Sequence, residues 1–134
     1  MILVDTNVLL DLVTDDPVWA EWSQLQLRAA AATDALAINE AVFAELSVRY
    51  VVIEQVETML ARVHATLLPT PKPALFLAGK AFQRYRAAGG IRTGVLPDFF
   101  LGAHAQITDS LLLTRDLSRY RTYFPLVELI SPEG

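Results

Sequence analysis

Acidic residues from distant parts of this chain have the types and spacing to do chemistry together. Asp5 directly follows the apolar run Ile2-Leu3-Val4, Asp98 follows Pro97, and Asp116 leaves the run Leu111-Leu112-Leu113-Thr114. The segment after a further apolar run, Ala35-Leu36-Ala37-Ile38, adds Glu45, flanking the stripe of Val42 and Leu46, with Glu40 nearer its start. Spacing alone does not choose between these two glutamates. Four unneutralised carboxylates in one place repel one another and raise one another's pKa values. A hard divalent cation removes that repulsion, and an all-oxygen donor set with no cysteine favours Mg²⁺ or Mn²⁺ over Zn²⁺. Such a site polarises a phosphodiester and lowers the pKa of a bound water, so the expected reaction is phosphodiester hydrolysis. Taken singly, Asp5, Asp98 and Asp116 each stand where a helix N-cap would, and Glu45 could be a solvated helix residue. Their convergence carries the functional reading. Asp11 and Glu40 are expected to be surface or capping residues.

Convergence requires elements that deliver these residues to one edge. The apolar runs 2–4, 35–38, 66–68, 111–114 and 127–130 read as short strands. Between them lie helical patterns: a short helix through Leu12; a helix from Val18 to about Ala32, with Asp16-Pro17 as N-cap and first position; and a stripe of Val42, Phe43, Leu46 and Tyr50. Further stripes are Ile53, Val56, Leu60 and Val63; Leu75, Ala78, Phe82 and Tyr85, ending at Gly89-Gly90; and Phe99, Ala103 and Ile107. Short apolar strands alternating with helices specify an α/β fold with a parallel sheet. In right-handed strand-helix-strand units the carboxyl ends of strands and the amino ends of helices share one edge, which places the acids on a common rim.

Composition sets the frame. At 134 residues and 53% hydrophobic, the chain is expected to be one globular domain, 1–134. Its apolar runs, such as Ala74-Leu75-Phe76-Leu77-Ala78, fall far short of the roughly 20 residues that span a bilayer, and Asp5 interrupts any secretory signal pattern. No membrane association and a cytoplasmic location are expected. With no cysteine and only His64 and His104 as histidines, disulfides are excluded and a zinc site is hard to build. The net charge of −4 argues against binding nucleic acid by bulk electrostatics, yet it divides into −7 over residues 1–68 and +3 over residues 69–134. That asymmetry fits an acidic site beside a modestly basic surface.

The segments Val4-Asp5-Thr6-Asn7, Glu45-Leu46, Leu96-Pro97-Asp98-Phe99-Phe100-Leu101-Gly102-Ala103-His104-Ala105 and Leu113-Thr114-Arg115-Asp116, with Tyr120 and Tyr123-Phe124-Pro125, closely resemble a PIN domain. Their order and spacing are similar to VapC-type toxins of toxin–antitoxin pairs, over essentially the whole chain. The resemblance implies a Mg²⁺- or Mn²⁺-dependent endoribonuclease on a three-layer α/β/α sandwich with a central parallel, five-stranded sheet. Carried onto this chain, it makes Asp5, Glu45, Asp98 and Asp116 the catalytic and metal-holding acids, choosing Glu45 over Glu40, with Asn7 and Thr114 in support. It also implies RNA as substrate, a homodimer and a VapB-type antitoxin, for whose tail Trp19 and Trp22 with Leu12 and Val13 would form an apolar groove. Arg115, Arg119 and Arg121 are candidate contacts to RNA phosphates, with Arg84, Arg86 and Arg92 as a second group; such contacts give affinity without sequence choice. Two alternatives are a receiver-like phosphoacceptor module and a catalytically silent PIN scaffold. A receiver wants an acidic pair at the first strand and a lysine after the last, where this chain has a lone Asp5 and Ser131-Pro132-Glu133-Gly134. The presence of all four acids argues against a silent scaffold.

Overall fold

Five strands form one all-parallel sheet in the order β3-β2-β1-β4-β5: β1 (Ile2–Val4), β2 (Leu36–Ile38), β3 (Ala65–Leu67), β4 (Leu111–Leu113) and β5 (Leu129–Ile130). This computed structural model describes residues 1–92 and 95–132; Thr93, Gly94, Glu133 and Gly134 lie outside the described residues. β1 and β2 are wholly buried, as are Leu112 and Leu113 of β4, which is why these runs are continuously apolar and do not alternate. The helices are α1 (Thr6–Val13), α2 (Ala20–Thr33), α3 (Glu40–Ser47), α4 (Ile53–Arg62), α5 (Lys72–Ala87), α6 (Leu96–Ile107) and α7 (Ser118–Tyr123). They complete an α/β/α sandwich, as expected. No helix among the described residues is long and apolar enough to cross a membrane.

Several expected boundaries shift. Asp16 caps the turn ahead of α2, its Oδ1 accepting from the N–H groups of Val18 and Trp19 at 2.8 and 2.9 Å, but regular helix begins only at Ala20. The third strand is Ala65–Leu67, and the last shortens to Leu129–Ile130. Four helices stop because the chain turns left-handed at Asp15, His64, Gly89 and Asp109. After α5 the turn is closed by the Gly90 N–H on the Tyr85 carbonyl at 2.9 Å, and Gly89, at φ 94°, enters this conformation without a Cβ penalty.

Strand order matters for the site. From β1 the chain winds outward through β2 to β3, then crosses back by α5 and α6 to β4 on the other side of β1. The direction of winding therefore reverses between β1 and β4, and a crevice opens at their carboxyl ends. Five aromatic rings, of Phe82, Tyr85, Phe99, Tyr123 and Phe124, join α5, α6 and the end of α7, with centroid separations of 5.2 to 6.1 Å. Gly102 lets this cluster close, since a Cβ there would overlap the Phe124 ring. The cluster thereby fixes the amino end of α6, which carries Asp98, against α7.

Candidate active site

Asp5 sits at the reversal point, immediately after β1, and is 5% exposed. It occupies the N-cap position of α1, yet its carboxylate makes no capping bond. Its Oδ2 accepts from the Tyr120 hydroxyl at 2.8 Å, from the Thr114 hydroxyl at 2.9 Å and, at 3.4 Å, from the Asn7 amide. Burial pushes its pKa up, opposed by the Tyr120 and Thr114 hydroxyls and the Thr6 backbone N–H and reinforced by the charge of Asp116. Neither of the other aspartates is a helix cap. Asp98 is the third residue of α6, whose N-cap is Val95, and α7 is preceded by Leu117 rather than Asp116.

Mutual repulsion shows that the predicted acids have been brought together. Asp98 is raised to about 7, first by burial and then by the charges of Asp5 and Glu45. Glu45 is also raised, by burial and by Asp5, while the Thr6 hydroxyl donates to its Oε1 at 2.7 Å. Arg119 forms an ion pair with Asp98, which pulls its pKa down, but burial and the two neighbouring carboxylates outweigh that pull. Asp116 is exposed just beyond the end of β4, and its N–H donates to the Thr114 hydroxyl at 3.1 Å. Glu40 instead accepts from the N–H and hydroxyl of Thr70, tying α3 to the loop before α5. The structure thus places Glu45, not Glu40, beside Asp5.

The donor set suits a hard divalent cation: oxygen only, mutually repelling, with a guanidinium already drawn onto one member. Among the described residues no three His, Asp or Glu side chains stand in a chelating arrangement as they are, so Asp98 would have to exchange Arg119 for the cation. Asn7 bridges the two strand ends, its amide lying 3.5 Å from the Thr114 hydroxyl and its Oδ1 accepting from the Arg115 N–H at 3.4 Å.

Other positions differ from expectation. Asp11, expected at the surface, is 2% exposed. It accepts two hydrogen bonds from the Arg115 guanidinium, both at 2.9 Å, and one from the Ser23 hydroxyl at 2.7 Å. Arg115 also lies over the Trp19 ring at 5.5 Å, so its guanidinium is engaged on the side of α1 and α2. Arg121, Arg84, Arg86 and Arg92 are exposed. Leu12 and Val13 do line a cavity of about 500 Å³, but with Tyr50, Met59 and Val63 of the α3–α4 side rather than with Trp19 and Trp22, which meet edge to face. The Tyr120 hydroxyl and Thr6 went unassigned in the sequence. For Tyr120 the available signal was a polar-tipped aromatic on the apolar stripe of Leu117, Tyr120 and Phe124, and for the burial of Asp11 it was an acid set among Leu9, Leu10, Leu12 and Val13.

Comparisons with known proteins agree with this fold. In fold the chain is similar to the VapBC2 complex of Rickettsia felis bound to a promoter DNA fragment (TM-score 0.72, 20% identity, covering 98% of each chain). It is also similar to VapBC-1 from nontypeable Haemophilus influenzae (TM-score 0.70, 18% identity, 100% of each chain). A third likeness is to FitAcB from Neisseria gonorrhoeae (TM-score 0.68, 18% identity, 100% of this chain and 99% of that one). No curated protein sequence matches the chain. The PIN domain family matches residues 2–125, a span that holds all four acids, and the chain belongs to that family.

Proposed function

We propose that this chain is a divalent-metal-dependent endoribonuclease and the toxin of a VapBC-type pair. The observation that carries the reading is the gathering of acids at the crevice between β1 and β4: burial together with the charges of Asp5 and Glu45 raises Asp98 to about 7, and Asp116 acts in turn on Asp5. Asp5, Asp98, Glu45 and Asp116 would hold Mg²⁺ or Mn²⁺. When bound, such a cation polarises the scissile phosphodiester and lowers the pKa of a coordinated water. The chain's own residues prepare that site: Thr114 and Asn7 hold Asp5, Thr6 holds Glu45, and the Thr114 hydroxyl also accepts from the Asp116 N–H, tying the Asp116 backbone to the end of β4. Arg119, if released from Asp98, would become available to an RNA phosphate, with Arg121 further along α7.

A VapB-type antitoxin is the proposed partner, supported by the VapBC and FitAcB complexes among the similar structures. The cavity between α1 and α4, with apolar Leu12, Val13, Met59 and Val63 beside Glu54 and Arg62, is the candidate seat for its tail. A homodimer and a cytoplasmic location complete the proposal. The decisive experiment incubates purified, antitoxin-free protein with structured RNA. Cleavage is expected with Mg²⁺ or Mn²⁺ and none with EDTA, and Asp5→Asn should lower the rate by at least about 100-fold, the scale of losing a positioned catalytic group. Wild-type cleavage by that variant would overturn the assignment.

A further inference from the structure

We propose that Tyr120 is a positioning residue of this site, its buried hydroxyl holding Oδ2 of Asp5 and so orienting a carboxylate that would ligate the cation. The inference rests on the proposed metal-dependent reading and adds a residue that is neither an acid nor a phosphate contact. Tyr120 stands on α7, 115 residues from Asp5, and only 1% of its surface is exposed. Its ring lies on the stripe with Leu117 and Phe124, where phenylalanine would pack equally well. A buried phenol must find a partner, and a partner for packing alone could have been any carbonyl. Here the partner is the acid at the point where the sheet reverses.

The geometry on Asp5 gives this contact its consequence. A carboxylate oxygen has two lone-pair directions. The two short bonds, from Tyr120 at 2.8 Å and Thr114 at 2.9 Å, fall on the same oxygen, with the longer Asn7 contact at 3.4 Å also directed there. Oδ1 carries none of the three, and the backbone N–H of Thr6 also acts on this carboxylate. The two short bonds come from different elements, β4's end and α7, and together they set the orientation of the carboxylate. Hydrogen-bonded partners of metal ligands orient them, and losing one commonly weakens metal affinity by roughly 10–100-fold.

The test compares wild type with Tyr120→Phe by titrating Mn²⁺ into metal-free protein, read by electron paramagnetic resonance of free Mn²⁺, with cleavage kinetics alongside. The variant is expected to raise the Mn²⁺ Kd by about tenfold or more. Its cleavage defect should be recovered at high Mn²⁺, with KM for RNA unchanged. A Mn²⁺ Kd within about twofold of wild type would overturn the inference. So would a Tyr120→Phe chain that no longer folds in EDTA, because the hydroxyl would then serve the fold. Wild-type protein that binds no Mn²⁺ would instead overturn the proposed function on which the inference rests.

Discussion

Asp98 illustrates how a single carboxyl reports on its neighbours. It has an arginine partner and still titrates at about 7, because burial and the charges of Asp5 and Glu45 exceed what Arg119 returns. A carboxyl whose folded pKa is raised contributes stability that is fully present below its unfolded value near 3.8 and is lost as pH rises through about 7. Metal-free protein should therefore melt at a higher temperature at pH 5.5 than at pH 8, as far as this group decides. His104 works in the opposite sense: it is buried beside Asn39 with its pKa lowered by burial, so its contribution falls away as pH drops below about 6.5. The informative comparison is thus between variants. Asp98→Asn should flatten the pH dependence of melting, and a slope equal to wild type would show that Asp98 is not the group responsible. Asp5 and Glu45 are raised too, so flattening is expected to be partial.

At the scale of elements, the β4–α7 loop carries Thr114 and Asp116 and is held from both sides. Asn7 of α1 accepts from the Arg115 backbone, and Asp11, one turn further along α1, grips the Arg115 side chain. Asp11→Ala would leave a partly buried guanidinium unpaired. Breaking a buried pair costs about 3–5 kcal/mol; Arg115 remains 29% exposed, so a loss of about 2 kcal/mol is expected in denaturant unfolding. Arg115→Lys should recover little, since an ammonium cannot reproduce two parallel hydrogen bonds. Unfolding midpoints identical to wild type in Asp11→Ala would mean that the pair is solvated and contributes nothing.

For the whole molecule, the reversal of sheet winding brings the strand ends that carry Asp5 and Asp116 side by side, and the proposed cation, if held there, would act as a global stabiliser. Anything that binds only the folded state raises its melting temperature. On the proposed reading protons and the cation would compete for Asp98, so the rise produced by Mn²⁺ should be larger at pH 8 than at pH 6 and abolished by EDTA. Equal shifts at both values would separate cation binding from Asp98.

Much of this was legible in the chain itself. The runs 2–4, 36–38 and 111–113 are apolar throughout because both faces of a parallel sheet are covered, and that pattern is local. It determined the fold class, and with it the rim on which Asp5, Asp98 and Asp116 had to lie. The choice of Glu45 over Glu40 was not local: both sit on α3, and only the packing of α3 against α1 sets Thr6 opposite Glu45 and Thr70 beside Glu40. The burial of Asp11, the engagement of Arg115 and Arg119 with aspartates, and the Tyr120 hydroxyl on Asp5 likewise join residues 104, 21 and 115 positions apart. Periodicity reports which face of an element is buried, but not which side chain from another element it will meet. Those pairings were decided by tertiary structure, because each depends on how far one helix slides and turns against its neighbour.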